Sequence, residues 1–120
     1  MTGFRFPKSA HLLRASEFQK MRREGRSFHG KFLVLSVLKD LPVAEVRVGL
    51  ITSRRVGAAV IRNRVRRRLR EIVRAARPQI PAGTWLTIVA RQAAASATFQ
   101  ILAEEWQNLA RRSSILHSCS

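Results

Sequence analysis

Hydrophobic residues recur at the spacing of an α-helix within residues 53–77. Steps of four, four, three and four residues separate the members of this series, which are Ile61, Val65, Leu69, Ile72 and Ala76. This is the periodicity of one helix face, and at about 100° per residue the side chains fall within roughly 80° of arc. The pattern predicts an amphipathic helix that begins near Ala58 or Ala59, after a turn at Gly57.

The opposite face of this predicted helix is cationic. Ten of the 25 residues in the segment are arginine, and Glu71 is its only acid. Arg68 lies nearest the apolar face, so we expect its aliphatic stem to cover the core while its guanidinium reaches outward. The side that points away from the apolar residues carries Asn63, Arg67, Arg70 and Arg74, with Arg66 beside them.

Apolar clusters on both sides of this helix predict the other elements. A first helix ends near Gly25, and a last helix ends at Arg112. Three strands are predicted at residues 28–38, 46–52 and 85–90, and the first two are expected to pair as an antiparallel hairpin. The element order is then α-β-β-α-β-α. The fold class is α+β, a two-layer sandwich of a small mixed β-sheet with helices.

The length of 120 residues predicts one domain over residues 1–120, and the family resemblance described later in this section implies that this domain binds RNA. Residues 1–14 indicate an irregular basic lead-in because a proline interrupts their apolar positions. Residues 114–120 show no periodicity and are expected to fray.

Net charge narrows the class of partner. The chain carries a formal charge of +16 with a pI near 12.0, which favours a polyanion, above all nucleic acid. Arginine outnumbers lysine 19 to 4, and its planar fork suits phosphates and bases, although genomic base composition produces the same bias. A membrane surface is the weaker alternative, because the basic helix lacks a Trp/Phe edge and no apolar run approaches a transmembrane length.

Cysteine content and the N-terminus bear on location. Cys119 is the only cysteine and can form no internal disulfide, which fits a reducing compartment. The first residues lack the hydrophobic core of a signal peptide. These features predict a cytoplasmic protein.

Catalytic groups are poorly supplied. The seven acidic residues are scattered, the three histidines lack metal-ligand spacing, and no phosphate-binding glycine loop is present. The sequence therefore predicts no catalytic residue and no metal held by the protein itself. A metal-free histidine ribonuclease remains an alternative, with solvated histidines the simpler interpretation.

Nucleic-acid-binding groups, in contrast, are concentrated in one place. Cations at helical spacing can follow successive phosphates, and an amide can bridge a phosphate, a ribose hydroxyl or a base edge. The predicted nucleic-acid-binding residues, for which the resemblance below implies RNA, are Arg54, Arg55, Arg62, Asn63, Arg64, Arg66, Arg67, Arg70 and Arg74.

The order of motifs resembles a known family. A Ser-Arg-Arg-Val-Gly segment at residues 53–57 precedes Arg62-Asn63-Arg64 and further arginines on the same predicted helix. Residues 47–50 and 89–91 supply matching context. Over residues 9–112 the chain closely resembles the protein component of bacterial ribonuclease P.

This resemblance implies a function and a topology. In that family a large RNA cuts precursor tRNA at its 5′ end with Mg²⁺, which the RNA mainly binds, and the protein is not the catalyst. The implied partners are the catalytic ribonuclease P RNA and precursor tRNA, with no membrane. The implied fold contains a left-handed crossover around the basic helix, against the usual right-handed rule.

The resemblance also implies a cleft for the 5′ leader of the substrate, between the sheet and the first helix. Its candidate residues are Phe18, Arg22, Phe28 and Phe32, whose aromatic members would stack on unpaired bases. The sequence departs from the family here, because Arg22 replaces a second aromatic and the chain has no tyrosine. Packing in the core is the alternative role for Phe18 and Phe32.

Two other functions use the same features. A ribosomal or RNA-chaperone protein would also present a basic helix, and a free-standing nuclease would cleave without RNA. Composition alone does not separate the first of these from a ribonuclease P subunit, whereas the ordered motifs favour the subunit.

Overall fold

The computed structural model describes residues 15–39, 41–42 and 46–113. The predicted lead-in and tail lie outside these residues, so the single-domain assignment over 1–120 stays a prediction. Within these ranges, three short 3₁₀ turns occur at Arg54–Val56, Arg77–Gln79 and Gln92–Ser96. The helices and strands are α1 (Ala15–Glu24), β1 (Arg26–His29), β2 (Leu33–Leu38), β3 (Arg47–Thr52), α2 (Ala59–Ala76), β4 (Trp85–Ala90) and α3 (Phe99–Arg112).

The four strands form one mixed sheet in the order β1-β2-β4-β3. Strand β2 is antiparallel to β1 and to β4, whereas β3 is parallel to β4. This confirms an α+β fold with a small mixed sheet and helices. Within the described residues the element order is α-β-β-β-α-β-α, which corrects the predicted α-β-β-α-β-α by one strand.

Two sequence-based predictions about the strands were wrong. Residues 28–38 form no continuous strand, because the chain bends at Lys31 and Phe32 and returns as a hairpin of β1 and β2. Strand β2 also does not pair with β3, because β4 lies between them. Five of the six residues of β4 are buried, and such an apolar strand is best accommodated in the middle of a sheet, covered on both faces.

The two faces of the sheet carry different helices. Strand register aligns Leu35 with Ile88 and Leu50, and this face packs with α2 and α3 in the main core. Helix α1 contacts the other face, where Arg47 donates to Glu17 over 3.3 Å. Because residues alternate between faces, the sheet separates α1 from the two longer helices.

The apolar face of α2 follows the predicted phase. Val65 and Leu69 are fully buried and Ile72 is nearly so, whereas Ile61 and Ala76 are half-buried at the two ends. Val73 is also fully buried, which widens the buried face beyond the predicted series. Burial of this face fixes the rotation of α2 about its axis and therefore the direction of its arginines.

We expect Leu69→Ala to lower the free energy of unfolding by about 2–5 kcal/mol, because the side chain is fully buried and its removal leaves a cavity. Denaturant-induced unfolding followed by circular dichroism measures this decrease. The adjacent exposed change Arg70→Ala is the control and should stay within about 0.5 kcal/mol. An equally small effect of both changes would contradict the helix phase.

Helix α2 is the connection between two parallel strands. A parallel pair needs a long crossover, and the chain enters it through the Arg54–Val56 turn, where the Ser53 hydroxyl accepts from the Arg55 amide over 3.3 Å. Gly57 follows with φ of 147°, and α2 begins at Ala59, as predicted. The left-handedness of the crossover stays a prediction.

Gly57→Ala should lower the free energy of unfolding by about 1–3 kcal/mol, because a side chain is strained at positive φ. An added Cβ would also lie 3.2–3.3 Å from the side chain of Ile61. Thermal unfolding measures the change, with Ala58→Gly at the neighbouring exposed position as the control for altered chain flexibility. A Gly57→Ala protein as stable as the parent would mean that this turn tolerates a side chain.

No helix in the described ranges is both long and apolar enough to cross a membrane.

Candidate nucleic-acid interface

The cationic face of α2 forms an open trough on the protein surface. The trough has a volume of ≈ 490 Å³ and is built from the side chains of one helix. Five of the predicted RNA-binding residues share it, and its full lining is Val60, Asn63, Arg64, Arg66, Arg67 and Arg70. Asn63, Arg67 and Arg70 are exposed, so their polar groups are available to a ligand in solution.

Two of the lining arginines are held by the protein itself. Arg66 donates to the Thr52 hydroxyl over 2.8 Å, and Arg64 donates to the Ala95 carbonyl over 3.4 Å. A guanidinium has five N–H donors, so each of these contacts orients the side chain and leaves donors for a phosphate. The trough is therefore partly preorganised.

The remaining predicted residues lie around the trough. Arg54 and Arg55 are exposed on the turn that precedes α2, and they extend the cationic surface past the start of the helix. Arg62 is half-buried, and its Nε has no partner among the described residues. Arg74 does not line the trough. It forms an ion pair with Glu71, which partly compensates its charge.

The start of α2 adds positive potential to the same surface. Its N-cap, Ala58, has no side-chain hydrogen bond, and the first turn contains no acid. Amide groups at a helix start carry a partial positive charge. The arginines and the helix start therefore favour the same class of ligand, an anion.

Arginines of α2 also hold the segment that follows β4. Arg68 is half-buried and donates to the Ala97 carbonyl over 2.8 Å, two residues beyond the carbonyl that Arg64 contacts. The guanidinium is thus bound to the backbone of the buried Ala97 and does not reach outward as predicted. Helical periodicity could not have indicated this contact with the backbone just after the Gln92–Ser96 turn. That segment lies about 30 residues later in the chain.

The four candidate residues of the leader cleft are not all brought together. Arg22 is exposed on α1, and Phe18 lies on the same helix, with its side chain outside the described part of the structure. Phe28 aligns with Leu35 in the strand register, which places it on the face that packs with α2 and α3. Phe32 is half-buried against the core, with the Lys31 ammonium 5.5 Å from its ring centre.

A carboxylate for which the sequence indicated no role organises the bend between β1 and β2. Glu105 of α3 accepts from the amides of Lys31, Phe32 and Leu33 over 3.0, 2.7 and 2.6 Å. A Cβ at Gly30 would lie 2.5–2.8 Å from this carboxylate, so a side chain at this position would displace the Glu105 carboxylate. Glu105 thereby links the last helix to the first hairpin.

We expect Glu105→Gln to lower the free energy of unfolding by about 2–3 kcal/mol, because an amide keeps one acceptor oxygen and lacks the charge that strengthens these bonds. Urea unfolding measures the decrease. Glu104→Gln, at the exposed neighbouring position, is the matched control and should change stability by less than about 0.5 kcal/mol. Equal effects would show that only the general charge matters.

Comparison with known proteins identifies the family. The sequence model of the Ribonuclease P family matches residues 6–114. A ribonuclease P protein component of Symbiobacterium thermophilum is 37% identical over 110 residues, which cover 91% of this chain and 96% of that protein. The chain belongs to the ribonuclease P protein family.

A second relative and two solved structures agree with this family. The ribonuclease P protein component of Acidothermus cellulolyticus is 39% identical over 107 residues, with 88% of this chain and 89% of that protein covered. The Thermotoga maritima ribonuclease P protein superposes with a TM-score of 0.73 at 28% identity, over 83% of this chain and 94% of that one. A Staphylococcus aureus ribonuclease P protein mutant with defective mRNA degradation activity superposes with a TM-score of 0.84 at 23% identity, over 91% of this chain and 92% of that one. This similarity supports the fold.

Family membership gives the trough its context. A ribonuclease P protein component is part of an endoribonuclease that acts in tRNA processing and works as a ribonucleoprotein, so the chain has an RNA partner.

Proposed function

We propose that the chain is the non-catalytic subunit of ribonuclease P and binds the catalytic RNA through the α2 trough. The observation that carries this proposal is the set of side chains on one exposed helix face, Asn63, Arg64, Arg66, Arg67 and Arg70. Cations spaced along a helix match successive phosphates, and Asn63 supplies an amide for a ribose or base contact. In this proposal Arg54 and Arg55 extend the contact beyond the helix start.

The proposal assigns cleavage of the 5′ leader, and the Mg²⁺ it requires, to the RNA. Mg²⁺ prefers carboxylate oxygens that converge with its waters, whereas the described part of the chain contains no group of three or more acidic, histidine or cysteine residues that could hold a metal ion. Glu17 pairs with Arg47, Glu71 pairs with Arg74, and Glu105 accepts backbone amides. These donors do not fit a shared magnesium site, so no catalytic step is assigned to the protein. The cytoplasmic location is part of the same proposal.

We further propose that the 5′ leader of precursor tRNA lies against the α1 face of the sheet. Val34, Ile51 and Val89 are only half-buried on this face, so α1 does not cover it completely. Arg22 and Phe18 on α1 remain candidates for contact with the leader. Phe28 is not, because the strand register directs it to the opposite face.

Reconstitution tests whether the RNA cleaves the substrate and the protein only assists it. Precursor tRNA is incubated with the protein, with a ribonuclease P RNA transcript, and with both, over a range of Mg²⁺ concentrations. We expect no cleavage by the protein alone and the largest stimulation of the RNA at low Mg²⁺, where protein cations replace metal near the phosphates. Cleavage by the protein alone would contradict the proposal, and a lack of stimulation would favour an RNA chaperone.

Replacing Arg66 and Arg70 together by alanine should weaken binding of the ribonuclease P RNA. The slope of log association constant against log salt should become shallower by about 0.7–0.9 for each phosphate that the protein no longer neutralises. Fluorescence anisotropy at several salt concentrations measures it. Thermal unfolding must accompany this test, because Arg66 also contacts Thr52.

A matched control removes a cation elsewhere. Arg111 is exposed on α3 and lies outside the trough, so Arg111→Ala should leave the salt slope unchanged. An unchanged slope in the Arg66/Arg70 double variant would mean that these side chains do not touch the RNA. An equal decrease in both variants would mean that the RNA responds only to total charge.

A further inference from the structure

One apolar residue is exposed within the cationic trough. Val60 retains 76% of its accessible surface, the largest fraction among the big hydrophobic side chains that the structure describes. It is also the only apolar member of the trough lining. Charge and hydrogen bonding explain the other lining residues, but not this one.

Helix geometry places Val60 in the same stripe as the contact residues. At about 100° per residue it lies roughly 20° from Arg67, 40° from Arg64 and 60° from Asn63 around the helix axis. Val60 is therefore one turn before Asn63 and Arg64, at the N-terminal end of the trough. A ligand that extends along the trough from Arg67 past Arg64 reaches its side chain.

The protein's own stability does not account for a valine here. Val60 does not belong to the hydrophobic core or to the residues packed against it, and valine is a poorer helix former than alanine. Single exposed apolar residues are common on protein surfaces. The position of Val60 between cations, on the face that binds the RNA in our proposal, is what distinguishes it.

We infer that the trough is a nucleotide subsite in which Val60 packs against the sugar or base of an RNA strand whose phosphates lie on Arg64 and Arg67. This inference rests on the proposed function. An RNA strand presents phosphates in alternation with sugars and bases, whose faces are largely apolar. A surface made only of arginine would bind the phosphates, whereas a valine between the arginines also takes up the apolar part of the nucleotide. Asn63 is within the same subsite and can bond a ribose hydroxyl or a base edge.

Val60→Ala separates this apolar packing from electrostatic binding. Binding of a ribonuclease P RNA transcript is measured by fluorescence anisotropy at several salt concentrations. We expect the association constant to fall about three- to tenfold at every salt concentration, because two methyl groups are removed from a surface that the RNA buries. The log–log salt slope should not change, because every arginine that neutralises a phosphate is still present. Val60→Ile, which keeps the apolar surface, should bind as the parent does.

Two controls make the outcomes distinct. Ile101→Ala removes another exposed apolar side chain, on α3 and outside the trough, and should not affect binding. Arg67→Ala should weaken binding and reduce the salt slope. Because alanine favours the helix, Val60→Ala should unfold at the same temperature as the parent or slightly higher, so unfolding would not explain weaker binding.

Each result decides a separate point. If Val60→Ala binds as tightly as the parent while Arg67→Ala binds weakly, the nucleotide subsite is disproved and the proposed RNA interface stands. If Arg67→Ala also binds normally with an unchanged slope, the interface itself is disproved. A shallower slope for Val60→Ala would overturn the inference as well, since apolar packing releases no counterions.

Discussion

The parallel pairing of β3 with β4 is the constraint on which the rest of the structure depends. Two parallel neighbours cannot be joined by a tight turn, so the chain between them must cross the sheet, and α2 is that crossing. The buried side chains of α2, led by Val65 and Leu69, pack on the sheet and fix the rotation of the helix. The trough is a direct consequence, because the same rotation directs Asn63, Arg67 and Arg70 to the surface. The face of α2 that packs in the core and the proposed RNA-binding surface are therefore two sides of one helix.

Arginine serves two purposes on this helix. Arg64, Arg66 and Arg68 each donate to an oxygen of the protein, on Ala95, Thr52 and Ala97 respectively. The planar guanidinium has donors pointing in several directions, so one side can hold the protein while the other remains available. A lysine ammonium is a compact charge that lacks this fork. The high arginine content of α2 therefore suits a surface that has to be both cationic and ordered.

The bend between β1 and β2 changes which face of the sheet an aromatic residue occupies. In one continuous strand from 28 to 38, Phe28 would share a face with Val34 and Ser36, because side chains alternate. The hairpin instead aligns Phe28 with Leu35, on the side of the main core. Glu105 stabilises this bend from a helix about 70 residues later in the chain, by accepting the amides of Lys31 and Phe32. A distant carboxylate thus stabilises the bend that places Phe28 on the core side of the sheet.

The sequence by itself determined the features that depend on local periodicity and charge. The phase of α2, its start after Gly57 and the end of α3 at Arg112 all follow from residues close together in the chain, and the ordered arginine motifs indicated the family. Only the tertiary structure decided the central place of β4, the split of residues 28–38 into two strands, and the partners of Glu105 and Arg68. The sequence places Val60, an apolar residue, on the cationic side of the helix, but only the folded structure shows that its side chain is exposed. The physical reason is that a helix satisfies its hydrogen bonds within one segment, whereas strand pairing and side-chain capping join residues that are far apart in sequence.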